Sequence, residues 1–213
     1  VYKNNPRSAT NRLFGALGFL MSTWLVTLFI TQHPSFVAAN LFWVRMSIFV
    51  AMPMSLAFFL LAHTLPRNRL QLGRRAFYLL LGATAVVMAI NLSPHVFTDV
   101  EFIENGVPRP IVGMGMISFG LLSTIFSLSA VYLLFKKSIT SKGVERKQFR
   151  FITAGMLLML GLIIGTIFIP VIIYNNPFFA PFAPLYASLF LSTTAYSIIR
   201  HRFMDVRLIL ART

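Results

Sequence analysis

The stretch Ser192–Arg212 reads STTAYSIIRHRFMDVRLILAR. An uncharged run passes through Tyr196, turns basic at Arg200–Arg202, and continues without a glycine or proline. Apolar positions persist beyond the basic cluster at Ile199, Phe203, Val206 and Leu210, spaced four, three and four. That is the a/d rhythm of a helix that packs on a partner. A transporter helix usually finishes at its basic stop, whereas this one runs on. The same four positions also suit an amphipathic tail lying on the membrane surface, and the rhythm by itself does not separate the two.

Working outward, composition excludes the soluble classes. Hydrophobic residues make up 57% and charged residues 11% of the chain, far from the mix of a soluble domain. There is no cysteine, so disulfides and thiolate metal sites are ruled out. A net charge of +14 invites a nucleic-acid reading, but 17 of the 19 Lys and Arg residues fall in four short clusters that flank apolar runs. They read as membrane flanks, and no nucleic-acid partner is expected. The chain opens at Val1 inside a polar stretch with no signal-peptide pattern, which reads as a fragment of a longer protein.

Six segments are long and uncharged enough to cross about 30 Å of hydrocarbon, which takes roughly 20 residues. They lie near Leu13–Thr31, Val37–His63, Ala76–Ser93, Ile111–Phe135, Phe151–Tyr174 and Phe178–Ile199. Phe151–Ile199 carries no charge, and as one helix at 1.5 Å per residue it would reach about 70 Å. Tyr174-Asn175-Asn176-Pro177 supplies the turn that divides it. Lys and Arg counts through the successive polar segments run 3, 0, 4, 1, 6, 0 and 4. The alternation fits one topology, with both ends cytoplasmic and the loops near His33, Asp99–Glu104 and Asn175 outside. The expected fold is therefore all-α, a polytopic transmembrane helical bundle with six helices.

Few residues within that bundle invite chemistry. Arg45 is the one basic residue inside an apolar segment, and a charge near a helix centre costs at least about 2.5 kcal/mol unless it is paired or hydrated. It lies about 12 Å from the outer end, within snorkelling reach beside Trp43. The sharper expectation pairs it with Asp99, Glu101 or Glu104 of the outer loop Pro94–Pro110, which holds three of the five acids. That loop could be a ligand site with Arg109 as a balancing charge, or simply a solvated loop. It is too short for an independent sensory domain. The ligand-binding candidates are therefore Arg45, Asn91, Asp99, Glu101 and Glu104. Asn91 and Asn175 are expected to hydrogen-bond across helices, Pro53 and Pro170 to kink them, and Gly161-x-x-x-Gly165 to permit close helix approach. Trp24 and the many phenylalanines read as lipid-facing or core surface.

Catalysis finds no support. His33, His63, His95 and His201 stand apart from one another, no H-E-x-x-H motif exists, and no kinase phosphoacceptor pattern is present. Gly113-Met-Gly115 precedes no phosphate-binding helix pattern. No carboxylate lies inside an apolar segment, where a proton-coupled transporter would be expected to carry one. No catalytic residue, metal or cofactor is expected.

Four passages carry a resemblance. Ala195-Tyr196-Ser197-Ile198-Ile199-Arg200-His201-Arg202-Phe203-Met204-Asp205-Val206-Arg207 is similar to the cytoplasmic exit of the seven-helix N-terminal sensor region of bacterial membrane histidine kinases. Asn11-Arg12-x-Phe14 with Trp24 resembles that family's entry into its second helix. Phe42-Trp43-x-Arg45, Pro53 and His63-x-Leu65-Pro66 look like its third. Gly143-x-Glu145-Arg146-x-Gln148-x-Arg150 resembles the loop before its sixth, although Phe149-Arg150-Phe151 stands where an aliphatic, uncharged sequence is more usual. The resemblance implies seven helices in the intact parent, with the first missing here. It also implies residence in the bacterial inner membrane, in contact with the lipid bilayer. Residues 1–199 would be the sensor bundle, and 200–213 the start of a signalling helix leading to an absent output domain. The implied function is the sensory input module of a two-component histidine kinase, itself not an enzyme. It would be a homodimer through the cytoplasmic helix, with Phe203, Val206 and Leu210 transmitting the signal of an unknown small-molecule or membrane-state stimulus. The alternative is a fragment of a membrane transporter or permease, whose mark would be internal repeats or a broken helix with a polar midplane site. Neither is visible.

Overall fold

The computed structural model describes residues 9–32, 40–65, 70–102, 108–170, 179 and 182–210. Among them are six long helices: α1 (Ala9–Gln32), α2 (Asn40–Thr64), α3 (Arg74–Leu92), α4 (Met116–Thr140), α5 (Gly143–Leu162) and α6 (Ala183–Leu210). Between α3 and α4 stands a two-stranded hairpin of β1 (Phe97–Phe102) and β2 (Pro108–Val112). The fold is all-α apart from this hairpin. By length and composition α1 to α5 can each cross a membrane. The proposed turn at Asn175–Pro177 lies outside the described residues.

The chain divides into two compact units, one ending at Ala130 and the other beginning at Val131, so that α4 runs from one into the other. In the first unit α2 is the central helix: half of its span is buried, against 17% for α1 and α3. Met52, Leu56 and Leu60 of α2 meet Val87 of α3 and Phe126 of α4, and Phe59 stacks on Phe126 with ring centroids 5.5 Å apart. Pro53 lies inside α2. It removes one backbone donor, a loss tolerated in lipid-embedded helices when packed neighbours hold the helix.

Most hydroxyls in these helices follow one rule. Thr27, Thr31, Ser47, Ser55, Thr64, Thr84 and Ser138 each donate to a carbonyl three or four residues earlier on their own helix. A hydroxyl without water must find an acceptor, and the nearest is the previous turn. Asn40 instead donates to the Thr31 carbonyl (2.7 Å), tying the start of α2 to the end of α1.

In the second unit α5 begins at Gly143, not at Phe151. The charged stretch 143–150 is thus part of the helix and extends it beyond its apolar run. Gly143 has φ +59° at the turn from α4, a conformation that costs a side-chain-bearing residue but not glycine. After Leu162 the helix widens into a π-helical stretch, Ile163–Phe168, and the Ile169 N–H reaches back five residues to the Ile164 carbonyl. Pro170 follows directly. Its ring would press on the carbonyl four residues back in a regular helix, and the widened turn relieves that contact.

The charge alternation makes a topological prediction. A reporter enzyme active only outside the cytoplasm is expected to work when inserted at residues 103–107 and to be silent between Thr140 and Gly143. The opposite pattern would reverse the orientation.

Candidate functional site

The stretch read as a loop from Pro94 to Pro110 is largely the hairpin. β1 and β2 pair antiparallel, with Val100 opposite Pro110 and Glu101 opposite Arg109, and the register breaks between Phe97 and Asp99. That bulge sets which residues face inward. Phe97 is buried, Thr98 and Asp99 are both exposed, and Val100 packs with Phe97 against Val44, Val96, Ile48 and Ile90. A helix from Ile111, as the hydropathy implied, would place Pro110 at its N-terminal edge. Instead the strand occupies Pro108–Val112, and α4 starts at Met116.

Two glycines fasten the foot of the hairpin. Gly113 N–H donates to the Val96 carbonyl (2.8 Å) and Gly115 N–H to the His95 carbonyl (2.9 Å). A methyl on Gly113 would overlap the His95 carbonyl, and one on Gly115 would lie 2.9 Å from Val96 Cγ2. Both positions therefore require close backbone approach. Sequence reasoning dismissed Gly113-Met-Gly115 as a failed phosphate motif; its spacing beside the turn at 93–96 was the available signal.

Arg45 holds this hairpin from α2. Its Nη2 donates to the Phe97 carbonyl at the register break, a charge-assisted bond. Its Nε is buried and has no partner. Among the described residues no carboxylate pairs with it; Asp99 is exposed, and its Oδ1 accepts from the Val100 N–H (2.8 Å). Glu101 is placed only by its backbone register opposite Arg109, and Glu104 lies outside the described residues. Asn91, fully buried near the end of α3, donates from Nδ2 to the Ile48 carbonyl of α2 (3.2 Å). This is the cross-helix bond expected of it; Asn175 lies outside the described residues. The Oδ1 of Asn91 is buried without a donor.

A second polar line runs between α5 and α6, which cross antiparallel. Ser197 Oγ donates to the Gln148 carbonyl (3.3 Å), and Thr166 Oγ1 lies 2.9 Å from Tyr186 Oη. Thr166 also donates to the Leu162 carbonyl, so its single proton is used and the tyrosine hydroxyl donates to it. Between these ends Gly155 meets Thr193, and a methyl on Gly155 would overlap the threonine hydroxyl. Gly155 is the close approach of this unit. Gly161 and Gly165, expected to play that part, have nothing within 4 Å of an added Cβ. Thr153 and Thr194 come at the same level, flanked by the Gln148–Ser197 and Gly155–Thr193 contacts. Both hydroxyls are buried without a partner, as is that of Thr10 in α1.

The remaining candidates stay apart. His63 Nδ1 is 3.2 Å from the Phe59 carbonyl, His95 is exposed, and His33 lies outside the described residues. Among the described residues no three His, Cys, Asp or Glu side chains lie together as metal ligands. Phe203, Val206 and Leu210 lie on the unbroken backbone of α6.

Residues 1–207 match the family model described as the N-terminal 7TM region of histidine kinase. Neither the curated proteins nor the solved structures hold a match to the chain.

Gly155→Ala should lower the stability to unfolding in detergent, by about 1–3 kcal/mol for an overpacked contact. Combining it with Thr193→Ala should recover part of that loss, because the overlapping hydroxyl is gone; strict additivity in the cycle would show that the two residues do not meet. Gly113→Ala should displace the hairpin and speed amide exchange at Val100 and Ile111, leaving α5 and α6 unchanged.

Proposed function

The chain belongs to the family of N-terminal 7TM regions of histidine kinases, and from that premise we propose that it is the sensory input module of a two-component histidine kinase, passing a stimulus through its last helix to a cytoplasmic output domain. It is a multi-pass membrane module in contact with the bilayer. One observation carries the finer reading: α6 is a single helix of 28 residues, Ala183–Leu210. At 1.5 Å per residue it is about 42 Å long, whereas the hydrocarbon core is about 30 Å thick. The basic cluster Arg200–Arg202 lies within the helix and does not end it.

In this mechanism the stimulus acts where the hairpin rests on α2 and α3, held by Arg45 and the two glycines. α4 begins beside that hairpin and continues into the second unit, so it is the covalent route from one to the other. α6 then shifts along the Gly155–Thr193 contact. Arg200, Arg202 and Arg207 hold it at the anionic inner leaflet, with both ends of the fragment cytoplasmic. Phe203, Val206 and Leu210 face the same residues of a second copy, as a/d positions of a parallel pair. A signal requires two packings that differ by only a few kcal/mol.

The absence of native cysteine makes the dimer directly testable. Single cysteines placed in turn at positions 202 to 210 and oxidised in membranes should cross-link at 203, 206 and 210 and not at 202 or 207. Uniform cross-linking, or none, removes the dimer-helix reading. In the intact signalling protein, Phe203→Glu and Leu210→Glu should abolish the response while leaving membrane insertion intact; a response that survives both ends the transmission mechanism.

A further inference from the structure

The cluster beneath the hairpin contains two polar atoms with nothing to bond. Arg45 Nε is a buried donor on a charged group, and Asn91 Oδ1 is a buried acceptor. They border one apolar patch: Arg45 bonds the backbone of Phe97, Asn91 bonds that of Ile48, and both of those residues belong to the Val44–Val96 cluster. Of the open polar atoms in the described residues, Arg45 Nε is the one on a charged group. Arg45 lies five residues into α2, about 7.5 Å from its start; the residue is half-buried and its Nε is fully buried. A neutral carbonyl satisfies one of its protons but does not compensate the charge.

The chemistry that completes this site is specific. Guanidinium Nε takes an oxyanion oxygen, of a carboxylate or a phosphate, better than any neutral acceptor. The carboxamide oxygen accepts only, so it takes an O–H or N–H next to that oxyanion. The apolar surroundings take a hydrocarbon chain. The geometry points to a binding site for an amphiphilic oxyanion carrying a hydrogen-bond donor beside its acidic group, bound with the acid on Arg45 Nε and the donor on Asn91 Oδ1. Two sources share that chemistry: a bilayer lipid with a hydroxylated phosphate headgroup, and a free hydroxy acid with an alkyl tail. A buried water on either atom would leave the charge of Arg45 uncompensated. The site deepens the sensory reading by naming what the input would be, yet binding is measured apart from any output.

Trp43, two residues from Arg45, reports on the site once Trp24→Phe removes the other tryptophan. The Trp24→Phe protein in phosphatidylcholine nanodiscs is titrated with 3-hydroxydecanoate or decanoate, and compared with discs containing phosphatidylglycerol. A saturable change in Trp43 emission, together with a raised melting temperature, is expected with 3-hydroxydecanoate or with phosphatidylglycerol. The arm that responds identifies the source. Arg45→Gln should weaken binding at least tenfold. Asn91→Leu should bring 3-hydroxydecanoate down to the level of decanoate while retaining Arg45, which keeps the test decisive if Arg45→Gln does not fold. No response in either arm overturns the site, as does a response that both variants share with the parent, since that is adsorption to a strongly basic protein. Failure here leaves the cysteine cross-linking along α6 untouched, so the sensory reading stands or falls separately.

Discussion

Inside the hydrocarbon every hydrogen-bonding group must find its partner within the protein, and the architecture follows from that requirement. Helices meet it along their backbones, which is why apolar runs of 19 to 25 residues become α1 to α4. Threonine and serine hydroxyls meet it by bonding the turn before. The hairpin meets it with its own ladder, and it stands at the ends of α2 and α3 and not along their lengths. Its weak point is the register break at Phe97, and there the carbonyl is taken by Arg45. The same requirement explains the π-helical stretch before Pro170: the missing proline N–H and the crowded ring are accommodated by shifting the bonding pattern from four residues back to five.

Because the rule is so widely obeyed, its exceptions are informative. An orphaned buried polar group costs about 1–3 kcal/mol, and a chain that closes most of its hydroxyls has little reason to leave others open. Two of the open places lie where elements pack against one another. One is the pair Arg45 and Asn91 where the hairpin meets α2 and α3. The other is the pair Thr153 and Thr194 beside the closest approach of α5 to α6. The first can be satisfied by a molecule that is not part of the chain. The second lies in the seam between α5 and α6, where no other side chain of the described residues bonds either hydroxyl. Thr10 and Asn40 are open as well, and nothing in their surroundings explains them.

The bundle was legible in the sequence because hydrophobic length and charge clusters are long-range averages that single residues hardly disturb. The helix boundaries were less so. α5 starts eight residues before Phe151 because Val144–Arg150 is helix-compatible even though charged, and hydropathy registers only where the apolar run begins. The hairpin was missed because Pro108 and Pro110 marked a loop, whereas an isolated two-stranded ribbon has free edges that tolerate proline. Asn91 was recognised as a cross-helix donor, since an amide in an apolar segment has few other options. Arg45 was recognised as needing a partner, but the acids of the outer loop drew attention away from a backbone carbonyl. Gly155 was hidden for a simpler reason. Gly161-x-x-x-Gly165 has the familiar spacing, and spacing on one helix does not say which face meets a neighbour. What decided the matter was Thr193 on α6, a contact between residues 38 apart in the chain.

The character of the α5–α6 seam bears on how a signal could travel. A seam of interlocked leucines has one good packing and resists sliding. This seam instead has a glycine notch and a line of hydroxyls: Thr153, Thr166, Thr194 and Ser197. Hydrogen bonds between membrane helices average only about 0.6 kcal/mol, so exchanging one partner for another changes the energy little. Two registers of α6 against α5 can then lie close in free energy, as a switch requires. Shifting a two-state population from 1:99 to 99:1 takes about 5.5 kcal/mol of differential binding. Under the sensory reading proposed above, that differential has to come from the input, and α6 needs only to be stiff, continuous and loosely registered.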